Sequence, residues 1–334
     1  MDVVSSEQPT QTLTNPDVSV IIPSYKSAPH VRQCLDALKA QITTCSYEVI
    51  LVDSSQDATH DIVAEEYPDV RLIHFDKRCS VGKARNIGVE KAKAEIVLFL
   101  DTDCVPIPTW LEQLYSALQR HHVVGVGGAI ENGTPTNIMG SVGFYLEFFR
   151  FLSYKGPPCF STFLMGGNSG FRKTVCQSLP FKDASIGDDF LFTWHLVHSG
   201  KPLLFVPSAV VRHINKTGLR KVLNYQYQLG LGACAYRQTV SPRLSSSMKR
   251  LPPAIFLSSV FVLFWIGCLV LKREKVFDGI KFFLLLPFLL LGHVVWATGF
   301  FREIMRIRKL QPHRHPQDPL MRMPHSEAGG QAKG

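Results

Sequence analysis

Ala94-Glu95-Ile96-Val97-Leu98-Phe99-Leu100-Asp101-Thr102-Asp103-Cys104 is the stretch whose reading decides the fold. Ile96 to Leu100 is a continuous apolar run, short enough for a strand buried on both faces, as in a parallel sheet. Two carboxylates separated by one residue end it. In an open parallel sheet, ligands bind beyond the carboxyl ends of the strands. Acidic side chains there suit a hard divalent cation and the phosphates it neutralises. Asp is also a common turn former, so a plain polar turn is the competing reading.

Upstream, the same pattern recurs. Val18 to Ile22 reads as a strand stopped by Pro23, Glu48 to Val52 as a second ending at Asp53, and Val70 to Phe75 as a third. Between them Val31, Leu35 and Leu38 fall at helical spacing, a second helix runs through Ile62 and Val63, and Ser80 to Gly88 is a turn opening a helix. Strands alternating with helices predict an α/β domain with a mostly parallel central sheet. Residues 1–16 read as a flexible tail and 17–240 as the domain. Downstream, Thr109-x-x-Glu112 has the form of a capping box. Val123 to Ile130 reads as a strand, and the aromatic-rich 138–154 as a core or an interfacial helix. Phe163 to Arg172 reads as a strand and turn in which glycines allow close backbone approach. Gly187-Asp188-Asp189 precedes another helix, followed by strands Leu203–Val206 and Val210–His213.

Composition narrows the class. The 334 residues are 46% hydrophobic and carry a net charge of +9, but no compact Lys/Arg run with interleaved aromatics marks the first two hundred, so nucleic acid is not an expected partner. Eight cysteines without CxxC or zinc spacing imply a reducing compartment and no disulfide frame. The N-terminus has no secretory signal pattern. After a linker at 241–253, two uncharged runs, 254–271 and 279–301 (the latter broken only by Lys281), have the length a bilayer requires. They predict a two-helix transmembrane hairpin, and the basic flanks put both termini and the catalytic domain on the cytoplasmic side. The basic segment 302–334 reads as a flexible tail. Lys216, Arg220 and Lys221 read either as contacts for anionic headgroups or a lipid pyrophosphate, or as a solvated helix face.

Acids thus stand at several element ends: Asp53, Asp101, Asp103 and Asp188-Asp189. They suit sugar transfer from a nucleotide diphosphate, which needs a cation on the leaving diphosphate and a carboxylate to deprotonate the attacking hydroxyl. Asp188 and Asp189 could equally cap a helix, and His213 could be a metal or phosphate ligand or simply structural.

The ordered set Val18-Ser-Val-Ile-Ile-Pro-Ser-Tyr25, Leu-Val-Asp53, Gly82-Lys-Ala-Arg-Asn-Ile-Gly88, Asp101-Thr-Asp103, Gly166-Gly-Asn168 and Gly187-Asp-Asp189 resembles the family 2 glycosyltransferases of GT-A fold over residues 17–235. The resemblance implies a nucleotide-diphospho-sugar donor held by Pro23, Tyr25, Asp53, Lys83, Arg85, Asn86, Asp101 and Thr102. It implies a divalent cation, Mg²⁺ or Mn²⁺, on Asp101, Asp103 and His213, and an acceptor side at Gly166, Gly167, Asn168 and Asp188. Asp189 matches the catalytic base of an inverting transfer. The family's Asp-Asp-Gly-Ser turn is here Asp53-Ser-Ser-Gln-Asp57, and its Glu-Asp pair is Asp188-Asp189. The Gln-x-x-Arg-Trp motif of processive synthases is absent, with Tyr225-Gln-Tyr-Gln-Leu-Gly in its region, so transfer of a single sugar is expected. The hairpin suggests either a lipid-linked acceptor or a plain anchor. A polyprenyl-phosphate sugar synthase is the alternative enzyme, and a membrane-anchored binding protein on a transferase fold the alternative class.

Overall fold

The structure, a computed structural model, describes residues 15–240, 252–273 and 276–310. The expected tail at 1–14, most of the linker (241–251) and the C-terminal tail from 311 lie outside the described residues.

Four strands form the first half of the sheet: β1 (Val18–Ser24), β2 (Tyr47–Asp53), β3 (Val70–His74) and β4 (Ile96–Leu100). They run parallel in the order β3-β2-β1-β4. Alternate side chains feed two layers. Val20, Ile22, Leu51, Leu98 and Leu100 face helices α1 (Val31–Lys39) and α4 (Trp110–Arg120), while Ile21, Ile50, Val52, Val97 and Phe99 face α3 (Val81–Lys91). Both faces are buried, which explains the uninterrupted apolar runs.

The second half corrects the expected mostly parallel sheet. β5 (Cys104–Pro106), β6 (Gly125–Asn132), β7 (Cys159–Ser161), β8 (Asn168–Arg172) and β9 (Leu203–His213) complete nine strands. β8 is antiparallel to both β4 and β6, and β5 and β7 are antiparallel to β9; only β6 and β9 run parallel. The sheet is mixed because β4 meets β8 without a strand–helix–strand crossover, and a doubly buried strand has the same apolar run in either direction. The two late strands of the sequence reading are one strand, bent at Pro207 where the register with β6 shifts.

The Thr109 capping box does not form. Thr109 makes no side-chain cap, and Glu112 instead accepts from the Thr43 hydroxyl at 2.9 Å and the Thr44 N–H at 3.0 Å, fastening α4 to the loop before β2. α7 (Asp188–His198) starts from Gly187 in the left-handed region, φ 80°, so neither Asp188 nor Asp189 stands at the cap position.

At the C-terminus, α8 (Leu219–Val240), α9 (Pro252–Arg273) and α10 (Val276–Leu310) pack against α5 (Ile138–Phe148). Among the described residues one helix, Phe282–Ile307 within α10, is long and apolar enough to cross a membrane. One candidate span is thus shown where two were expected, and residues 302–310 are helix rather than tail. α5 is the joint: Tyr145 meets Phe282 and Phe149 meets Trp265 edge to face, at 5.4 and 5.2 Å. Gly230 of α8 and Gly299 of α10 let the two helix backbones close to a distance any Cβ would prevent. Phe261, Phe264, Leu284 and Phe283 are exposed on this appendage.

Candidate active site

The chain leaves β4 at Leu100 and turns through Asp101-Thr102-Asp103 into β5, which pairs with the end of β9 and sets Cys104 opposite His213. That pairing brings His213 Nε2 to 3.4 Å from Asp103 Oδ2. Burial alone would raise the Asp103 carboxyl, but the neighbouring imidazole overrides it and lowers it to about 2. Burial in turn disfavours the charged ring, and Asp103 more than compensates, raising His213 above its ordinary value. Ligand atoms of Asp103, Cys104 and His213 lie within 4.8 Å of one another. Burial raises the Cys104 thiol well above its usual range, so it stays neutral. The Asp103 carboxylate and His213 imidazole left over are oxygen and nitrogen donors that suit Mg²⁺ or Mn²⁺. Thr102 shares a 2.8 Å hydroxyl contact with Ser27, tying this turn to the end of β1.

Arg85 organises the opposite wall. Its guanidinium is 3% exposed, donates to Asp188 Oδ2 at 2.5 Å and reaches Asp101 Oδ1 at 3.2 Å. Burial works against its charge, but Asp188 and Asp101 together raise its pKa further above the usual arginine value. Among the described residues its Nε has no hydrogen-bond partner. Gly166 and Gly167 make room for this bridge, since a Cβ at Gly166 would strike the guanidinium and one at Gly167 the Asp101 carboxylate. Asp189 stands beside it, its Oδ2 accepting from the Gly166 N–H at 2.9 Å and its Oδ1 from the Phe190 N–H at 2.7 Å. Burial, then the adjacent Asp188 charge, raises the Asp189 carboxyl to about 6. Burial raises Asp101 as well. Two acids of one turn are thus tuned in opposite directions.

Several residues that the motif order singles out are engaged in the frame. Asn86 exchanges two 2.8 Å hydrogen bonds with the Phe181 backbone. Asn168 is fully buried, accepts from Trp110 Nε1 at 2.8 Å and donates to the carbonyls of Ala129 and Ala209. Asp53 is also fully buried, accepting from the hydroxyls of Ser24 and Ser55 at 2.8 and 2.6 Å and lying 2.8 Å from His74 Nδ1. Pro23 is buried in β1. Tyr25 is exposed with Arg78 over its ring at 4.5 Å, and Lys83 is exposed on the first turn of α3.

Other residues reach the site that no motif marked. Glu147 of α5 accepts from Gln226 Nε2 at 3.2 Å, and burial raises it to about 7 against the pull of Lys216 and His213. Lys216, read from sequence as facing headgroups or solvent, lies 3.7 Å from the centre of the Tyr225 ring. Only the packing of α5 and α8 over the cleft brings these groups in; no spacing in the sequence does.

A parallel β3-β2-β1-β4 half with acids at its inner edge, joined to a mixed half, defines a GT-A-like fold. The mannosyltransferase PcManGT from Pyrobaculum calidifontis, solved in complex with GDP-Man and Mn²⁺, shares it with a TM-score of 0.54 and 19% identity, over 90% of this chain and 89% of that one. Residues 19–179 match the family model of glycosyl transferase family 2. The chain is 31% identical over 228 residues to glycosyltransferase AglE of Haloferax volcanii, spanning 66% of this chain and 74% of that protein. It is 27% identical over 228 residues to the succinoglycan biosynthesis protein ExoO of Rhizobium meliloti, spanning 64% and 65%. The chain belongs to glycosyl transferase family 2 and is a glycosyltransferase.

Proposed function

We propose that this enzyme moves one sugar, with inversion, from a nucleotide-diphospho-sugar to a hydroxyl acceptor at the cytoplasmic face of a membrane. The observation that supports the reading is the buried Arg85 bridge between Asp101 and Asp188, with Asp189 next to Asp188 and the Asp103–His213 pair on the same turn as Asp101. Asp101, Asp103 and His213 would hold a divalent cation, whose chemistry is to neutralise the leaving diphosphate. The Mn²⁺ and GDP-Man bound by PcManGT are in keeping with such a donor and cation.

Asp189 takes the proton of the attacking hydroxyl. Its raised pKa brings it closer to the working pH, which makes it a better proton acceptor than an ordinary Asp. Its two backbone hydrogen bonds aim the carboxylate and keep it from swinging to Arg85. On the donor side, the buried Asp53 acts through Ser24, Ser55 and His74 to shape the floor for the base, while Tyr25, Lys83 and Thr102 would touch the nucleotide. Asn86 and Asn168 hold the walls in place. The candidate span in α10, docked on the catalytic domain through α5 and α8, favours an acceptor carried by a lipid, and the relation to a succinoglycan biosynthesis protein favours a glycan precursor.

The test is a screen of UDP-, GDP- and dTDP-sugars against a membrane-lipid extract, with Mg²⁺, Mn²⁺ or chelator. The expected result is metal-dependent sugar transfer from one donor class to an extractable lipid product. Binding of a nucleotide-sugar without turnover under every condition would point instead to a membrane-anchored binding protein.

A further inference from the structure

His213 has two ring nitrogens, and which one bears the proton decides which can face a cation. The surrounding hydrogen bonds settle this from groups that can act in only one way. The Thr134 N–H can only donate, so the Asn132 atom 2.9 Å from it is the carbonyl Oδ1. The His213 main-chain carbonyl can only accept, so the Asn215 atom 3.1 Å from it is the amide Nδ2. That same Nδ2 lies 2.9 Å from Asn132 Oδ1 and 3.0 Å from the Thr134 hydroxyl, in agreement with both assignments. Asn215 Oδ1 is what remains for His213 Nδ1, 2.9 Å away. A carbonyl oxygen only accepts, so Nδ1 carries a proton.

We propose that Asn215, oriented by Asn132, is a positioning residue that holds a proton of His213 on Nδ1, so that Nε2, which pairs with Asp103, is the nitrogen that gives up its proton to bind the cation. The inference rests on the reading of His213 as a cation ligand. The sequence places the parts together: Asn132 is the last residue of β6 and pairs in register with His213 at the end of β9. Asn132 Nδ2 donates to Ser141 Oγ at 3.1 Å, which anchors the chain of amides to α5. The Phe148 ring, 4.5 Å from the imidazole, packs on it from the same helix. Asn215 is 6% exposed, so water offers little replacement for its carbonyl if the ring turns. Ring partners of this kind commonly govern metal affinity as much as the ligands do.

The experiment uses the full chain labelled with ¹⁵N-histidine, read by NMR for the His213 tautomer and titrated with Mn²⁺ alone by electron paramagnetic resonance. Wild type is expected to keep a proton on Nδ1, with Nε2 the nitrogen that loses its proton. Asn215→Ala should give mixed tautomers and bind Mn²⁺ about 10–100-fold more weakly, and Asn132→Ala, which does not touch the ring, should shift both readouts in the same direction by less. If Asn215→Ala does not fold, Asn132→Ala carries the test by itself. Wild-type tautomer and Mn²⁺ affinity in the folded variants, alongside weakened binding in His213→Gln, would overturn the positioning role and leave the ligand reading intact. Undiminished Mn²⁺ binding in His213→Gln would overturn the ligand reading, and the positioning role with it.

Discussion

Two ion-paired corners face each other across this cleft, and they are built differently. At the Arg85–Asp188 corner both side chains are almost dry, 3% and 5% exposed, and the partners come from α3 and the start of α7. At the Asp103–His213 corner the ring is 11% exposed but the carboxylate is 31% exposed, so its oxygen can be reached from solvent. A dry pair has no other partner to turn to, so it serves as a fixed strut. An open pair can exchange its partner for a cation. The difference shows how the two acids of one turn divide their work: Asp101 leans on the strut, and Asp103 belongs to the exchangeable corner.

Breaking the strut is expected to have the largest effect. Arg85→Met leaves Asp188 and Asp101 without their buried counter-charge and should cost about 3–5 kcal/mol, read as a lowered denaturation midpoint. His213→Gln at the more open corner should lower the midpoint by less while raising the cation concentration needed for half-maximal transfer. If the two variants lose stability equally, the contrast between the corners is wrong.

A smaller perturbation tests the fit between strut and turn. Gly167→Ala drives a methyl into the Asp101 carboxylate, and overpacking of this kind costs about 1–3 kcal/mol. The predicted signature is a loss of transfer rate larger than the loss of nucleotide affinity. An Ala variant with wild-type kinetics would mean that Asp101 is free to move.

The smallest effect separates the corners by pH. Asp189 must be a carboxylate to act as base, and its pKa is raised to about 6. The kcat/KM for transfer should therefore fall as pH drops through about 6 and level off above it. An acid limb well below that, near an unperturbed Asp, would place the base elsewhere.

Much of the parallel half was legible in the sequence, because β1, β2 and β4 are largely apolar runs buried on both faces and ended by a polar residue. The direction of β8 was not, since burial on both faces erases the signal that would distinguish parallel from antiparallel pairing. Glu112 misled for a related reason: its capping spacing is local, but Thr43 and Thr44, nearly seventy residues away, claim its carboxylate. Arg85, Asp103 and His213 were visible as motif residues. Their division into a dry and an open corner depends on burial that no spacing encodes. Glu147, Lys216 and Asn215 carry no motif: the approach of α5 brings in Glu147, while Asn215 and Lys216 follow His213 in the chain without matching any pattern.

The account stands most directly on Asp189. Asp189→Asn keeps an oxygen for the Gly166 N–H but removes the basic carboxylate. Measured side by side on the pure protein, the transfer rate should fall about 10²–10⁴-fold while the affinity for the donor nucleotide stays at the wild-type level. A variant that keeps its transfer rate would contradict the assignment and favour a phosphate acceptor, which needs no base, as in a polyprenyl-phosphate sugar synthase.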